Sequence, residues 1–258
     1  STADARIYGF LSDRFGQVTL VAGGGKSECK SLVERLNTTL KDVSPNLKSV
    51  ALLDRDVDEA AADPDAIYLP VSMIENLLVD PDVIWAALTT VHHKLDLKSA
   101  KDVEAALDDI LSGIEGHEVG RRTKAAFGAK FFRLKDPVAE AEKQVDKFID
   151  ALRADLDKAK VDKAIADATE KVGKLKTDSK RREYFDGKLV IREFHKNHVN
   201  KSGMSREIFI YQCAREASRR RSVEKFVREL FEVVGITSTA TTAEREKKQE
   251  ELAHKGEA

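Results

Sequence analysis

Val50-Ala51-Leu52-Leu53-Asp54-Arg55-Asp56-Val57-Asp58 is an apolar run that breaks into acids. Read as a buried parallel strand, it delivers its carboxylates at the C-terminal edge of a sheet, where ligand crevices of open α/β sheets lie. Strand side chains alternate faces, so Asp54 and Asp56 are expected to leave the sheet on the same side. Two hard oxygen ligands in that arrangement suit Mg²⁺ or Mn²⁺. The plain alternative is an acidic turn that ends a strand.

Upstream, Gln17–Ala22 reads as a second buried strand, and Gly23-Gly24-Gly25-Lys26-Ser27 follows it. Cys29, Leu32, Val33, Leu36 and Leu40 then recur at helical spacing. Glycines between strand and helix let backbone N–H groups approach a phosphate at the helix N-terminus, with Lys26 beside them. The string is not an ATP-binding P-loop: that motif needs a glycine five residues before Gly25, and Leu20 stands there. A substrate-phosphate role or a packing role is left. A haloacid-dehalogenase motif is disfavoured as well, because Asp58 occupies the position where valine or threonine is needed.

Together, "AGGGKSECKSLVERL" and "VALLDRDVD", about thirty residues apart, resemble the glycine–lysine turn and aspartate strand of Toprim proteins. Among these the similarity points to nucleases of the ATPase-associated, overcoming-lysogenization-defect group, and within it to the Toprim effectors of PARIS anti-phage defence systems. "IYLPVSMIENLLVDPDVIWAAL" resembles the leucine-rich element with an internal Glu-Asn, here Glu75-Asn76. Gly187-Lys188 resembles a later glycine–lysine element. The likeness covers residues 1 to about 95 with fairly specific motifs and 180–235 only loosely.

The resemblance implies an α/β fold with a central parallel sheet flanked by helices, a large helical insertion and a helical C-terminal region. It implies Mg²⁺ or Mn²⁺ on Asp54 and Asp56, with Glu75 either an outer ligand or a structural helix residue. It also implies charge stabilisation by Lys26 and Lys188, and phosphate binding by Gly24, Gly25, Lys26 and Lys188. The implied activity is Mg²⁺-assisted cleavage of host nucleic acid, tRNA ahead of DNA, after release from an ABC-type or AAA ATPase partner. A Toprim glutamate in a V-E-G turn is missing from the expected place. Thr2–Phe15 reads as the helix that follows it, with Ile7, Tyr8, Phe10, Leu11 and Phe15 as its apolar face, which would put the glutamate upstream of Ser1. The other register puts it at Ala22, V-A-G for V-E-G. On either register the chain is expected to be a truncated or inactivated nuclease, and a non-catalytic docking subunit of an ATPase complex is the alternative.

Composition bounds the rest. The 258 residues suffice for a buried core. A net charge of −1 with 34% charged residues gives no overall bias toward nucleic acid. Basic residues do cluster, at Arg121, Arg122, Lys124, Lys130, Arg133 and Lys135, at Lys174–Arg182, and at Arg215–Arg221. These read as solvated faces or as grips on a phosphate backbone. Cys29 and Cys213 read as reduced core residues, in keeping with a cytoplasmic setting, and neither a signal peptide nor a membrane span is visible.

The expected organisation is an α/β core over 1–95, a helical region over 96–180, a helical subdomain over 181–236 and a mobile tail over 237–258. Val138 to Val172 carries a narrow apolar stripe with a five-residue skip after Leu156. That pattern suits either one helix on the order of 50 Å long or two helices with a bend. It also suits packing on a neighbour, an ATPase partner or a second copy, as well as it suits an ordinary surface helix. His195 and His198 read as structural, and the adjacent pair His92-His93 diverges on a helix.

Overall fold

Two three-residue strands, β1 (Ala51–Leu53) and β2 (Ala66–Tyr68), pair in parallel, with Ala51 opposite Ala66 and Leu53 opposite Tyr68. The computed structural model describes residues 2–44, 48–57, 66–90, 96–127, 141–155 and 157–235. Asp58, His92-His93, Lys130, Arg133, Lys135, Val138, Leu156 and the tail from 236 lie outside the described residues.

Everything else regular among the described residues is helical: α1 (Thr2–Leu11), α2 (Lys26–Val43), α3 (Pro81–Thr89), α4 (Ala100–Gly113), α5 (Glu115–Phe127) and α6 (Ala141–Asp155) come first. Then follow α7 (Lys158–Thr177), α8 (Arg181–Tyr184), α9 (Gly187–Phe194), α10 (Arg206–Arg219) and α11 (Glu224–Val234). The chain is thus mostly helical with a small parallel sheet.

Local chemistry explains many of the boundaries. Asp80 accepts from the N–H groups of Asp82 and Val83, both at 2.9 Å, and Pro81 starts α3 without needing a donor. Ser99 caps α4, whose Val103, Ala106, Leu107, Ile110 and Leu111 form one buried stripe. The skip after Leu156 falls where α6 gives way to α7, which Asp157 caps, so the stripe belongs to two helices. Helix α7 buries Ala168, Val172 and Leu175 and packs on α5.

One large apolar cluster draws on Ile7 and Leu11 of α1, Ile84 of α3, Leu107 of α4, Phe194 of α9, Phe209 of α10 and Phe231 of α11. Its members come from all three regions into which the sequence was divided. The sheet lies between this cluster and a satellite: Leu52 and Ile67 pack on the large cluster, while Ala51, Leu53 and Ala66 pack with Val33 of α2.

One expectation is corrected here. Residues 17–22 form no strand: a 3₁₀ turn runs from Asp13 to Gln17, and the chain then passes irregularly into the glycines, leaving Val21 69% exposed. Alternation supplies a face, but a strand also needs a partner edge, and β1 pairs only with β2 among the described residues. The apolar stripe of α2 is correspondingly half-covered, with Val33 alone fully buried and Leu36 exposed.

Candidate functional site

β1 stops at Leu53, and the acids that follow it are held by separate devices. The Asp54 carboxylate is largely buried near the backbone of Ile74. Burial pushes its pKa above the ordinary aspartate value; Lys188 opposes the rise, while Asp56 and Asp4 add to it. Asp56 lies in the left-handed region at φ +54°, so the alternation of a strand no longer governs where its side chain goes. Its N–H donates to the Ser72 carbonyl at 2.8 Å, and the Ser72 hydroxyl donates back to the Asp56 carbonyl at 2.6 Å. Its carboxylate pairs with Lys26 at 3.0 Å. The expected common face is therefore replaced by two adjoining environments, Asp54 with Lys188 and Asp56 with Lys26.

Glu75 sits in the 3₁₀ turn Ile74–Leu78 and is only 6% exposed. Its Oε2 is buried without a hydrogen-bond partner among the described residues. Burial lifts its pKa to about 7 against the pull of Lys188, with Asp54 and Asp4 lifting it further. Burial alone would lower the Lys188 pKa, but Glu75, Asp54, Asp4 and Asp186 outweigh that and raise it. Lys188 is the second residue of α9, whose cap is Asp186 accepting from Leu189 N–H at 3.0 Å.

The neighbour of Glu75 explains how distant segments meet. Asn76 donates through Nδ2 to the carbonyls of Arg182, at 2.7 Å, and Phe185, at 2.9 Å. A Cβ on Gly187 would lie 2.6 Å from Asn76 Oδ1 and 2.9 Å from its backbone nitrogen, so only glycine fits. The Glu-Asn and Gly-Lys elements are thus packed against each other, although more than a hundred residues separate them.

The glycine loop is occupied by its own helix. Gly25 N–H donates to Glu28 Oε2 at 2.7 Å, which places a carboxylate at the N-terminus of α2 where an incoming phosphate would sit. Gly24 takes a positive φ of 87°. Lys26 Nζ also reaches the Arg55 carbonyl at 3.5 Å.

Two site residues were not found by sequence reading. Asp4 and Tyr8 of α1 face the cluster: Asp4 acts on Asp54, Glu75 and Lys188, and the buried Tyr8 phenol is pushed up by burial, then by Asp54, Asp4 and Glu75. Tyr8 had been assigned only to an apolar face, and Asp4 carried no signal beyond being acidic near a helix start.

Several basic residues are engaged within the chain. Arg121 and Arg122 pair with Glu118, Arg181 with Glu115, and Arg182 with Glu104 and Asp108. His195 is buried against the Met204 carbonyl at 2.8 Å, a structural role. Cys29 and Cys213 are free thiols, and burial raises the Cys213 pKa. Among the described residues no group of three or more His, Cys, Asp or Glu side chains is assembled closely enough to hold a metal ion. No described helix is long and apolar enough to cross a membrane. No family model matches the chain, and neither the curated proteins nor the solved structures contain a significant match to it.

Proposed function

We propose that this chain is a Toprim-type, metal-dependent nuclease of the ATPase-associated group. The observation that carries the reading is the packing of the Glu75-Asn76 turn against Gly187-Lys188, with the acids after β1 tied to the same region through the Asp56–Ser72 hydrogen bonds, three elements that the resemblance marks out separately. The donors suit Mg²⁺ or Mn²⁺: all are hard carboxylate oxygens, and one of them, Glu75 Oε2, is buried without a partner.

Asp54 and Glu75 would hold the ion, Asp56 would join them on releasing Lys26, and water and phosphate oxygens would complete the shell; when bound the ion supplies Lewis-acid polarisation of a scissile phosphate. Lys188 carries fixed positive charge into the cluster, where it can meet phosphate oxygens as negative charge develops. Lys26, now paired with Asp56, exchanges that carboxylate for a phosphate oxygen. The N–H groups of Gly24 and Gly25 take the same anion when Glu28 swings away. The proposed substrate is nucleic acid, tRNA ahead of DNA, in the cytoplasm. The proposed partner is an ABC-type or AAA ATPase that restrains the enzyme until phage is sensed, and a homodimer is the proposed self-assembly.

A second reading, a non-catalytic docking subunit, draws support from the ion pair that engages Asp56 and from the absence of an assembled three-ligand group among the described residues. Calorimetric titration of Mn²⁺ into the chain separates the two. The nuclease reading expects weak binding that Asp54→Asn removes; binding that survives Asp54→Asn would take the ion away from this cluster.

A further inference from the structure

Helix α5 belongs to the helical region, yet its buried carboxylate ties into both halves of the candidate site. Glu118 has no exposed surface at all. It accepts Arg121 Nη2 at 2.9 Å and Arg121 Nε at 3.2 Å, pairs with Arg122 at 3.7 Å, and accepts the Asp186 backbone N–H at 2.6 Å. Asp186 is the cap of α9, two residues before Lys188. On the other side, Arg121 Nη2 donates to the Tyr184 carbonyl at 3.1 Å and to Ser72 Oγ at 3.4 Å. Ser72 is the residue that exchanges two hydrogen bonds with the Asp56 backbone, and its own N–H donates to the Glu183 carbonyl at 2.8 Å.

Placing a carboxylate and a guanidinium together out of water is costly unless their remaining donors and acceptors are satisfied. Here those remaining bonds go to the Asp186 N–H, the Tyr184 carbonyl and the Ser72 hydroxyl. A plain core-filling role needs no such targets: an apolar pair would fill the same volume, often without loss of stability. Bidentate geometry also fixes direction as well as distance, which suits Arg and not Lys.

We propose that Glu118 and Arg121 are positioning residues that set Lys188, through Asp186, and Asp56, through Ser72, in register with each other. The proposal rests on the reading of Asp56 and Lys188 as site residues, and it makes α5 part of the site although neither side chain touches the reacting atoms. The helix that packs on α5 is α7, so the helical region and the cluster share one support.

The test follows backbone hydrogen exchange and amine labelling in the full chain carrying Arg121→Lys or Glu118→Gln. Arg121→Lys keeps the charge facing Glu118 but loses the fork, and serves where Glu118→Gln does not fold. Exchange at the Asp56 and Asp186 amides is expected to quicken roughly tenfold or more, the size of one lost hydrogen bond to a charged group. Lys188 should be labelled faster by an amine-reactive reagent, while the Phe209 and Cys213 amides of α10 keep their parent rates. Unchanged exchange at Asp56 and Asp186 would overturn the proposal, as would a uniform rise that includes α10, which marks general loosening. The expected pattern in a parent chain that fails to bind Mn²⁺ would support the positioning roles and sink the nuclease reading alone.

Discussion

Substituting Glu75 by glutamine should change how stability depends on pH. The Glu75 carboxyl is 6% exposed, and burial lifts its pKa from 4.5 to about 7. Below pH 4.5 both folded and unfolded chains carry the proton, so Glu75 contributes no slope. Between 4.5 and about 7 the unfolded chain releases the proton while the folded chain keeps it, so stability falls as pH rises. At roughly 1.4 kcal/mol per pH unit, the loss across that window amounts to about 3 kcal/mol. This is a large part of the 5–15 kcal/mol that usually holds a domain together. Asp54, also raised by burial, contributes in the same direction from the ordinary aspartate range upward, and it does so in parent and variant alike. Lys188 stays charged throughout this window, so it adds no slope of its own. Urea melts of parent and Glu75→Gln at pH 4.5, 6 and 7.5 check the reasoning, with the urea dependence itself unchanged. The parent should weaken steadily, and the variant should lose most of that slope. Equal slopes in the two chains would refute the assignment of the buried proton to Glu75.

Other outcomes follow from the packing. Gly187→Ala should cost about 1–3 kcal/mol by overpacking against Asn76, read as a lowered denaturation midpoint; an unchanged midpoint would mean the two elements are not pressed together. Val145 and Ile149 are each 37% exposed on α6, so the double variant Val145→Asp, Ile149→Asp should leave stability within about 0.5 kcal/mol. It should nonetheless weaken assembly, seen by light scattering of the chain and by co-purification with an ATPase partner; native mass and full co-purification would remove α6 from any interface.

Much of the helical architecture was legible because helical burial is periodic and local. The stripe of α4 and the run Phe226, Val227, Leu230 and Phe231 of α11 are buried as their spacing requires. The strand ending in acids was legible for a similar reason, an apolar run stopped by charge. Residues 17–22 misled because a strand is defined by its partner, and no local pattern reveals whether an edge awaits it. Asp56 misled because a left-handed turn, and not the pleat, sets its direction. The site itself was half visible. Asp54, Glu75 and Lys188 stood out by motif, but Asp4 and Tyr8 reach the cluster only through the docking of α1. Arg121 stood in a basic cluster that read as a solvated face or a phosphate grip, and Glu118 carried no signal in the sequence. Their burial depends on α5 being pressed against residues 72 and 184–186, a contact between segments far apart in sequence.

Cleavage of a mixed pool of tRNA and DNA, with and without Mg²⁺ or Mn²⁺, tests the central claim most directly. The account predicts cleavage that depends on Mg²⁺ or Mn²⁺, which supplies Lewis-acid polarisation of the scissile phosphate. Asp54→Asn or Lys188→Met should abolish that cleavage, and Ala22→Glu, which supplies a positioned acid or base, should raise it by about 10² to 10⁴-fold. If neither the chain nor Ala22→Glu cuts nucleic acid with either metal and no ATPase present, the nuclease account is contradicted and the docking subunit takes its place.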